Sequence, residues 1–157
     1  MNYEVNKIIH LSDNNLNIIT NWMYKWWGEV EGYSVEELKC YILSSLQENK
    51  LPQTYGIFDN DKIIGMYQFT YSDLDCRPDL YPWLANVYVD ESYRDKGIGK
   101  LLIESVKESI KNTDFKEIYL YTYHDNFYEK FGFKFIDKID TFKCIPRIQN
   151  LYKYEVE

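Results

Sequence analysis

The chain has 157 residues, 45% of them hydrophobic and 27% charged, with 18 basic against 25 acidic side chains and a formal net charge of −7. Length and balance suit one globular domain, residues 1–157, with its own core. The acidic charge argues against nucleic acid or an anionic membrane as the main partner. Cys40, Cys76 and Cys144 lack CxxC spacing, so neither a disulfide framework nor a zinc site is expected, and a reducing, cytoplasmic setting fits. Met1–Leu11 has no apolar core of the signal-peptide type, and no stretch is long enough to span a membrane.

In chain order, Tyr3–Leu11 reads as a first strand. Ser12 or Asp13 can cap a helix that carries Leu16, Ile19, Met23, Trp26 and Trp27 on one face and ends near Gly28. Ser34 and Glu37 have capping-box spacing before a second helix with Leu38, Tyr41, Ile42 and Leu46, which stops before Pro52. Thr54–Phe58 and Lys62–Tyr71 read as a hairpin around Asp59-Asn60-Asp61. Asp73–Pro82 is a loop. Trp83–Val89 is nearly all apolar, as a strand covered on both faces would be, with Asn86 its one polar interruption.

Asp90, Glu91 and Ser92 bring turn chemistry, and the period then becomes helical. Ile98, Leu101, Leu102, Val106 and Ile110 form one apolar face that ends near Asn112 and Thr113. Lys116–Thr122 is a further strand, Asn126–Phe131 a short helix, and Phe133 starts another strand. Asp137–Gln149 is a weakly patterned loop that would close over substrate or meet a partner chain. Leu151–Val156 reads as a last edge strand.

The strand, turn and helix start at Trp83–Lys100 concentrate backbone N–H groups at one point, and a helix start is a ready site for phosphate. Gly97 and Gly99 let a ligand approach backbone with no Cβ in the way. The spacing matches neither a Walker A loop, since no Lys-Ser or Lys-Thr comes after it, nor the three-glycine dinucleotide fingerprint.

Arg94-x-x-Gly97-x-Gly99 after such a strand resembles the acyl-CoA pyrophosphate loop of the GNAT superfamily of N-acetyltransferases. Phe127-Tyr128-Glu129-Lys130-Phe131-Gly132-Phe133 resembles that family's later motif, a short helix that ends at glycine and re-enters a strand. The resemblance implies an α+β fold in α/β/α layers, with a central mixed, mostly antiparallel sheet, a splayed strand pair and about four flanking helices. It implies acetyl-CoA as cosubstrate, no metal, and transfer of the acetyl group to a primary amine. A small-molecule amine is the leading acceptor, and the acidic charge is compatible with a cationic one. A protein or peptide amine, or a non-catalytic acyl-CoA-binding module, are the alternatives. A homodimer is compatible with the sequence.

Carried onto this sequence, the resemblance assigns Arg94, Asp95, Lys96, Gly97, Ile98, Gly99 and Lys100 to the cofactor pyrophosphate. It assigns the backbone of Val87, Tyr88 and Val89 to the pantetheine arm and thioester carbonyl, and Tyr128 to protonation of the departing thiolate. Glu29 is the candidate base, with an ordered water, Asp73 or Asp75 as rivals. Trp27, Glu31 and Asp73 are candidate substrate contacts. Among other candidates, His124 reads as a solvent-facing loop histidine, His10 as structural, and Trp22 and Trp26 as a helix core stripe. Asn126 lies too close to Tyr128 to make the pantetheine contact that many members place two turns earlier.

Overall fold

The computed structural model describes residues 3–157; Met1 and Asn2, part of the leader reading of Met1–Leu11, lie outside the described residues. Seven strands hydrogen-bond in the order β1-β2-β3-β4-β5-β7-β6. They are β1 (Val5–Ile8), β2 (Gln53–Asp59), β3 (Lys62–Thr70), β4 (Trp83–Val89), β5 (Glu117–Thr122), β6 (Lys134–Asp140) and β7 (Ile148–Glu155). Among the described residues there are three α-helices, α1 (Asp13–Met23), α2 (Val35–Ser44) and α3 (Ile98–Ile110), together with one short π and two short 3-10 segments. β4 and β5 are parallel; the β1–β2, β5–β7 and β6–β7 pairs are antiparallel. The mixed sheet and the element order agree with the expected fold. By contacts the chain forms two compact units, one reaching Gln68 and resuming over Asn86–Leu102, the other comprising Phe69–Ala85 and Ile103–Glu157.

In the first unit, β1 runs antiparallel to β2, from Val5↔Ile57 to Ile8↔Thr54. The Ser12 hydroxyl caps α1 by accepting from the Asn15 amide at 3.1 Å. Buried Asn15 then ties the helix start to the β2–β3 turn: its Nδ2 donates to the Asp61 carbonyl at 2.7 Å and its Oδ1 accepts from the Ile63 amide at 3.0 Å. At α2 the expected capping box is complete, Ser34 and Glu37 each accepting from the other's amide at 3.0 Å. Ile8, Ile19, Trp22, Met23, Leu38, Ile42, Ile63 and Met66 make this unit's core.

The expected tryptophan stripe is corrected here. After Met23 the helix widens into a π segment, Tyr24–Gly28, and the wider turn shifts the register of the residues beyond it. Trp22 is therefore the core tryptophan, Trp26 is exposed, and Trp27 turns half-buried toward β4. Leu46 lies past the end of α2 and bridges to Gln53.

On α3 the apolar face also shifts: Ile98, Leu102, Ile103, Val106 and Ile110 are buried, while Leu101 is 39% exposed. At about 100° per residue, Ile103 lies nearer the middle of the arc from Ile98 to Ile110 than Leu101 does.

In the second unit, β5 pairs with β7 from Glu117↔Glu155 to Thr122↔Asn150, and β6 pairs with the other side of β7. The C-terminal strand is thus interior, not the expected edge. Residues Gln149–Tyr152 and Tyr154 are buried, as a central strand requires. β6 is the edge. It carries Lys134, Asp137 and Lys138 and a register shift between Phe135 and Asp137, features that blunt an open edge. Asp137–Asp140 belongs to β6, which shortens the expected loop. Trp83, Leu74, Ile139 and Leu151 form a core cluster in this unit. No helix among the described residues is long and apolar enough to cross a membrane.

Candidate functional site

The strand–turn–helix expectation is met in the first unit. β4 ends at Val89, whose carbonyl accepts from the Arg94 Nε at 3.0 Å. The Arg94 guanidinium lies 5.3 Å from the Tyr88 ring centre. Asp90 donates its amide to the Ile64 carbonyl at 2.8 Å and opens a 3-10 turn, Glu91–Tyr93. Asp95 (φ 62°) and Gly97 (φ 81°) are both left-handed, and α3 begins one residue later. Left-handed residues among right-handed ones turn successive N–H groups to one side, an anion-binding concavity. The first bond of the helix, Leu101 N–H to the Gly97 carbonyl at 3.2 Å, leaves the amides of Ile98, Gly99 and Lys100 ahead of the ladder. A Cβ on Gly97 would meet no protein atom within 4 Å, so the space beside it is open.

Arg94, Lys96 and Lys100 are all exposed. Lys96 folds back: its Nζ donates to the Ser92 carbonyl at 3.3 Å and sits 5.2 Å from the Tyr93 ring centre. Gly97 precedes the helix, and only Gly99 is in its first turn.

Asp90 braces the turn by accepting from the Ser92 amide at 2.9 Å and the Ser92 hydroxyl at 2.6 Å. Burial alone would raise its pKa; hydrogen bonds from Ser92, Lys62 nearby and the Trp22 indole outweigh burial and lower it. A folded-state pKa below the unfolded one gives stability above the ordinary carboxylate range, lost as pH falls through the folded value. Asp90→Ala is expected to lose about 1 kcal/mol at pH 7, the usual worth of such a cap. Urea melts at pH 7 and near pH 2 check this: the difference should vanish at the acid end, and an equal loss at both would refute the charge's part in it.

β4 itself holds what the sequence reading missed. Asn86 has φ 51° in mid-strand. Its Oδ1 accepts from the Trp27 Nε1 at 3.0 Å, and its Nδ2 donates to the Gln68 Oε1 at 2.7 Å and to the Tyr41 hydroxyl at 3.4 Å. Gln68 is fully buried; its Oε1 also accepts from the Tyr41 hydroxyl, and its Nε2 donates to Ser45 Oγ and Thr54 Oγ1, both at 3.0 Å. An indole N–H only donates, so the Asn86 amide has one workable orientation and the chain of bonds is satisfied along its length. The signal in the sequence was the lone polar residue of an apolar strand; its partners are 18 to 59 positions away.

Tyr88 packs on Trp22 and Trp26, at 4.9 and 5.4 Å between ring centres. Trp27 meets Tyr33 and Tyr41 edge-on. Glu29 and Glu31 are exposed in the turn after Trp27, their amides bonded to the Tyr24 and Trp27 carbonyls. The first unit therefore links Trp27, through Asn86, to Val87–Val89 and the Arg94–Lys100 turn.

Asp73 and Tyr128 belong to the second unit. Asp73 is half-buried and its carbonyl accepts from the Tyr121 hydroxyl. Tyr128 starts the 3-10 turn Tyr128–Phe131, which ends at left-handed Gly132 as the second motif anticipates. It is buried among Phe127, Phe133 and Tyr152, and burial pushes its hydroxyl well above the ordinary tyrosine range. His124 is exposed, its ring tilted against Tyr123 with 4.3 Å between ring centres, and its carbonyl accepts from Asn150.

A mixed sheet whose apolar strand runs through a left-handed turn into a helix start places this chain among α+β proteins, with a backbone arrangement suited to an anionic ligand. Residues 16–133 match the model of the Acetyltransferase (GNAT) family, and the chain belongs to that family. It is 31% identical over 55 residues to an uncharacterized N-acetyltransferase of Chlorobaculum tepidum, covering 35% of this chain and 36% of that protein. It is 27% identical over 124 residues to the uncharacterized protein YdhI of Bacillus subtilis, covering 75% of this chain and 68% of that one. Among solved structures, a PaiA N-acetyltransferase of Thermoplasma acidophilum in complex with coenzyme A is similar over 99% of both chains, with 21% identity and a TM-score of 0.64. A GNAT acetyltransferase of Elizabethkingia anophelis with acetyl-CoA bound is similar over 98% of both, with 20% identity and a TM-score of 0.65. An aminoglycoside 6'-acetyltransferase type Ii is similar over 98% of this chain and 97% of that one, with 14% identity and a TM-score of 0.72.

Proposed function

We propose that the protein transfers the acetyl group of acetyl-CoA to a primary amine of a small molecule by direct attack. The observation that carries this is the left-handed turn at Asp95 and Gly97, which leads from the end of β4 into the start of α3. In this reading the amides and cations of Arg94–Lys100 hold the pyrophosphate, with Lys96 contributing backbone more than charge, and a backbone N–H within Val87–Val89 polarises the thioester carbonyl. The amine lone pair attacks the carbonyl carbon, the C–S bond breaks and the sulfur leaves as the thiolate; the proton nitrogen loses passes to the base and on to solvent, and the released thiolate takes one up from solvent. Glu29, or a water it orders, takes the ammonium proton; Trp27, Glu31 and Asp73 hold the acceptor.

Tyr128 is proposed to donate a hydrogen bond to the departing sulfur. From an ordinary tyrosine to an ordinary thiolate, full proton transfer is already uphill by about 2 kcal/mol. A raised hydroxyl pKa steepens that climb and keeps the group in its donor form throughout the neutral range. Tyr128→Phe keeps the packed ring and should lower kcat about tenfold, the worth of one hydrogen bond. Undiminished kcat from pH 6 to pH 9 would remove Tyr128 from the chemistry.

The proposal as a whole is tested by following thiol release from acetyl-CoA across a panel of small amines and lysine peptides. Release with a small amine is expected. Tight acetyl-CoA binding with no release for any acceptor would point to a non-catalytic binding module.

A further inference from the structure

We propose that Asn86 is a positioning residue: held by Trp27, Gln68 and Tyr41, its left-handed backbone aims the β4 amides that hold the thioester carbonyl. This rests on the acetyl-transfer reading above, and specifically on Val87–Val89 meeting the thioester. Three observations carry it.

First, φ 51° at Asn86 interrupts an otherwise extended strand. Asparagine is among the few residues that tolerate this conformation, and it persists only where the surroundings over-determine it. One residue turned out of the extended form re-aims the next N–H and C=O groups along the strand, as a bulge does. Second, the strand changes character at that residue: Trp83–Ala85 are buried and Asn86–Val89 are half-buried. Third, the side chain is committed on both its atoms, to Trp27 at 3.0 Å, Gln68 at 2.7 Å and Tyr41 at 3.4 Å. Gln68 is anchored in turn on buried Ser45 and Thr54. β4 also lies close against β3 beyond Asn86, where a Cβ on Gly65 would lie 3.2 Å from the Tyr88 carbonyl oxygen. Because Trp27 stands two residues before Glu29, one side chain, Asn86, joins the proposed acceptor wall to the proposed thioester strand. A shift of Trp27 on acceptor binding would then be felt at the β4 amides.

The test uses the full chain labelled with nitrogen-15 and titrated first with CoA and then with acetyl-CoA. Only acetyl-CoA brings a thioester carbonyl, so the shift difference between the two ligands reads that carbonyl's bond. In the wild type the difference should fall on an amide within Val87–Val89. Asn86→Gly keeps the left-handed backbone accessible and removes the side chain. There the difference should fall by about half or more, while the CoA-induced shifts at Lys96–Lys100 persist. Its kcat should drop about tenfold, below the roughly hundredfold loss from deleting an oxyanion donor outright, with the acetyl-CoA KM within about threefold. Trp27→Phe keeps a ring and removes the donor, and should move both readouts the same way by less.

A wild type with no ligand difference at these amides overturns the proposal. So does an Asn86→Gly variant that melts lower but keeps the full difference and full kcat. The two readings fail separately. A shift difference that depends on Asn86, in a protein that releases no thiol with any amine, supports the clamp and removes the enzyme.

Discussion

Gly97→Val is expected to raise the acetyl-CoA KM by about ten- to a hundredfold, equivalent to about 1.4–2.8 kcal/mol of cofactor binding. Gly97 has φ 81°, a conformation a β-branched residue resists. If the valine holds the native backbone, the strain costs about 1–3 kcal/mol of stability. If the backbone flips instead, the amides of Ile98, Gly99 and Lys100 lose their common aim. A Cβ at this position meets no atom within 4 Å beyond its chain neighbours, so adding one carbon there causes no clash with the rest of the protein. Gly97→Ala separates the effects: it adds about 1 kcal/mol of strain with a much smaller intrusion, and should raise KM less than the valine. Initial rates against acetyl-CoA concentration, beside thermal melts of both variants, check this. An unchanged KM for Gly97→Val would remove the turn from cofactor binding.

Gln68→Leu is expected to be the most destabilising single change in the first unit, at about 2–4 kcal/mol. Leucine matches the volume but returns none of four hydrogen bonds, to Tyr41, Asn86, Ser45 and Thr54. Ser45 and Thr54 keep each other at 2.8 Å, and Ser45 keeps the Ile42 carbonyl, so the cost concentrates on the Asn86 amide. For a chain of this length each kcal/mol moves the midpoint about 2–4 °C. The expected fall in Tm is therefore about 5–15 °C, whereas Ser45→Ala, which leaves Gln68 its other partners, should lose much less. A Gln68→Leu protein within about 1 kcal/mol of wild type by urea melts would show that the network adds little to stability.

Legibility tracked the range of the interactions. The capping box at Ser34 and Glu37, the strand at Trp83–Val89 and the change of period at Ile98 are local, written within a few residues, and the structure reproduces them, although only Trp83–Ala85 of the strand are covered as fully as expected. The stripe of α1 failed at Trp26 because the π segment changes the turn length, and no spacing in the sequence marks where a helix will widen. β7 was misplaced for a different reason: a strand's neighbours are chosen by pairing with β5 and β6, which its own residues do not encode. The same holds for Asn86, which stood out as polar but whose partners lie on α2, β3 and the π segment.

By itself, then, the sequence determined the order of elements, the turn at Arg94–Lys100 and the family to which that turn belongs, because glycine placement, capping and hydrophobic period act over one or two turns of chain. Tertiary structure alone decided that Lys96 folds back on Tyr93, that Tyr128 is buried with a weakened acid, and that Trp27 reaches β4 through Asn86. Those outcomes depend on burial and on hydrogen-bond partners distant in sequence, and both exist only once the chain has packed.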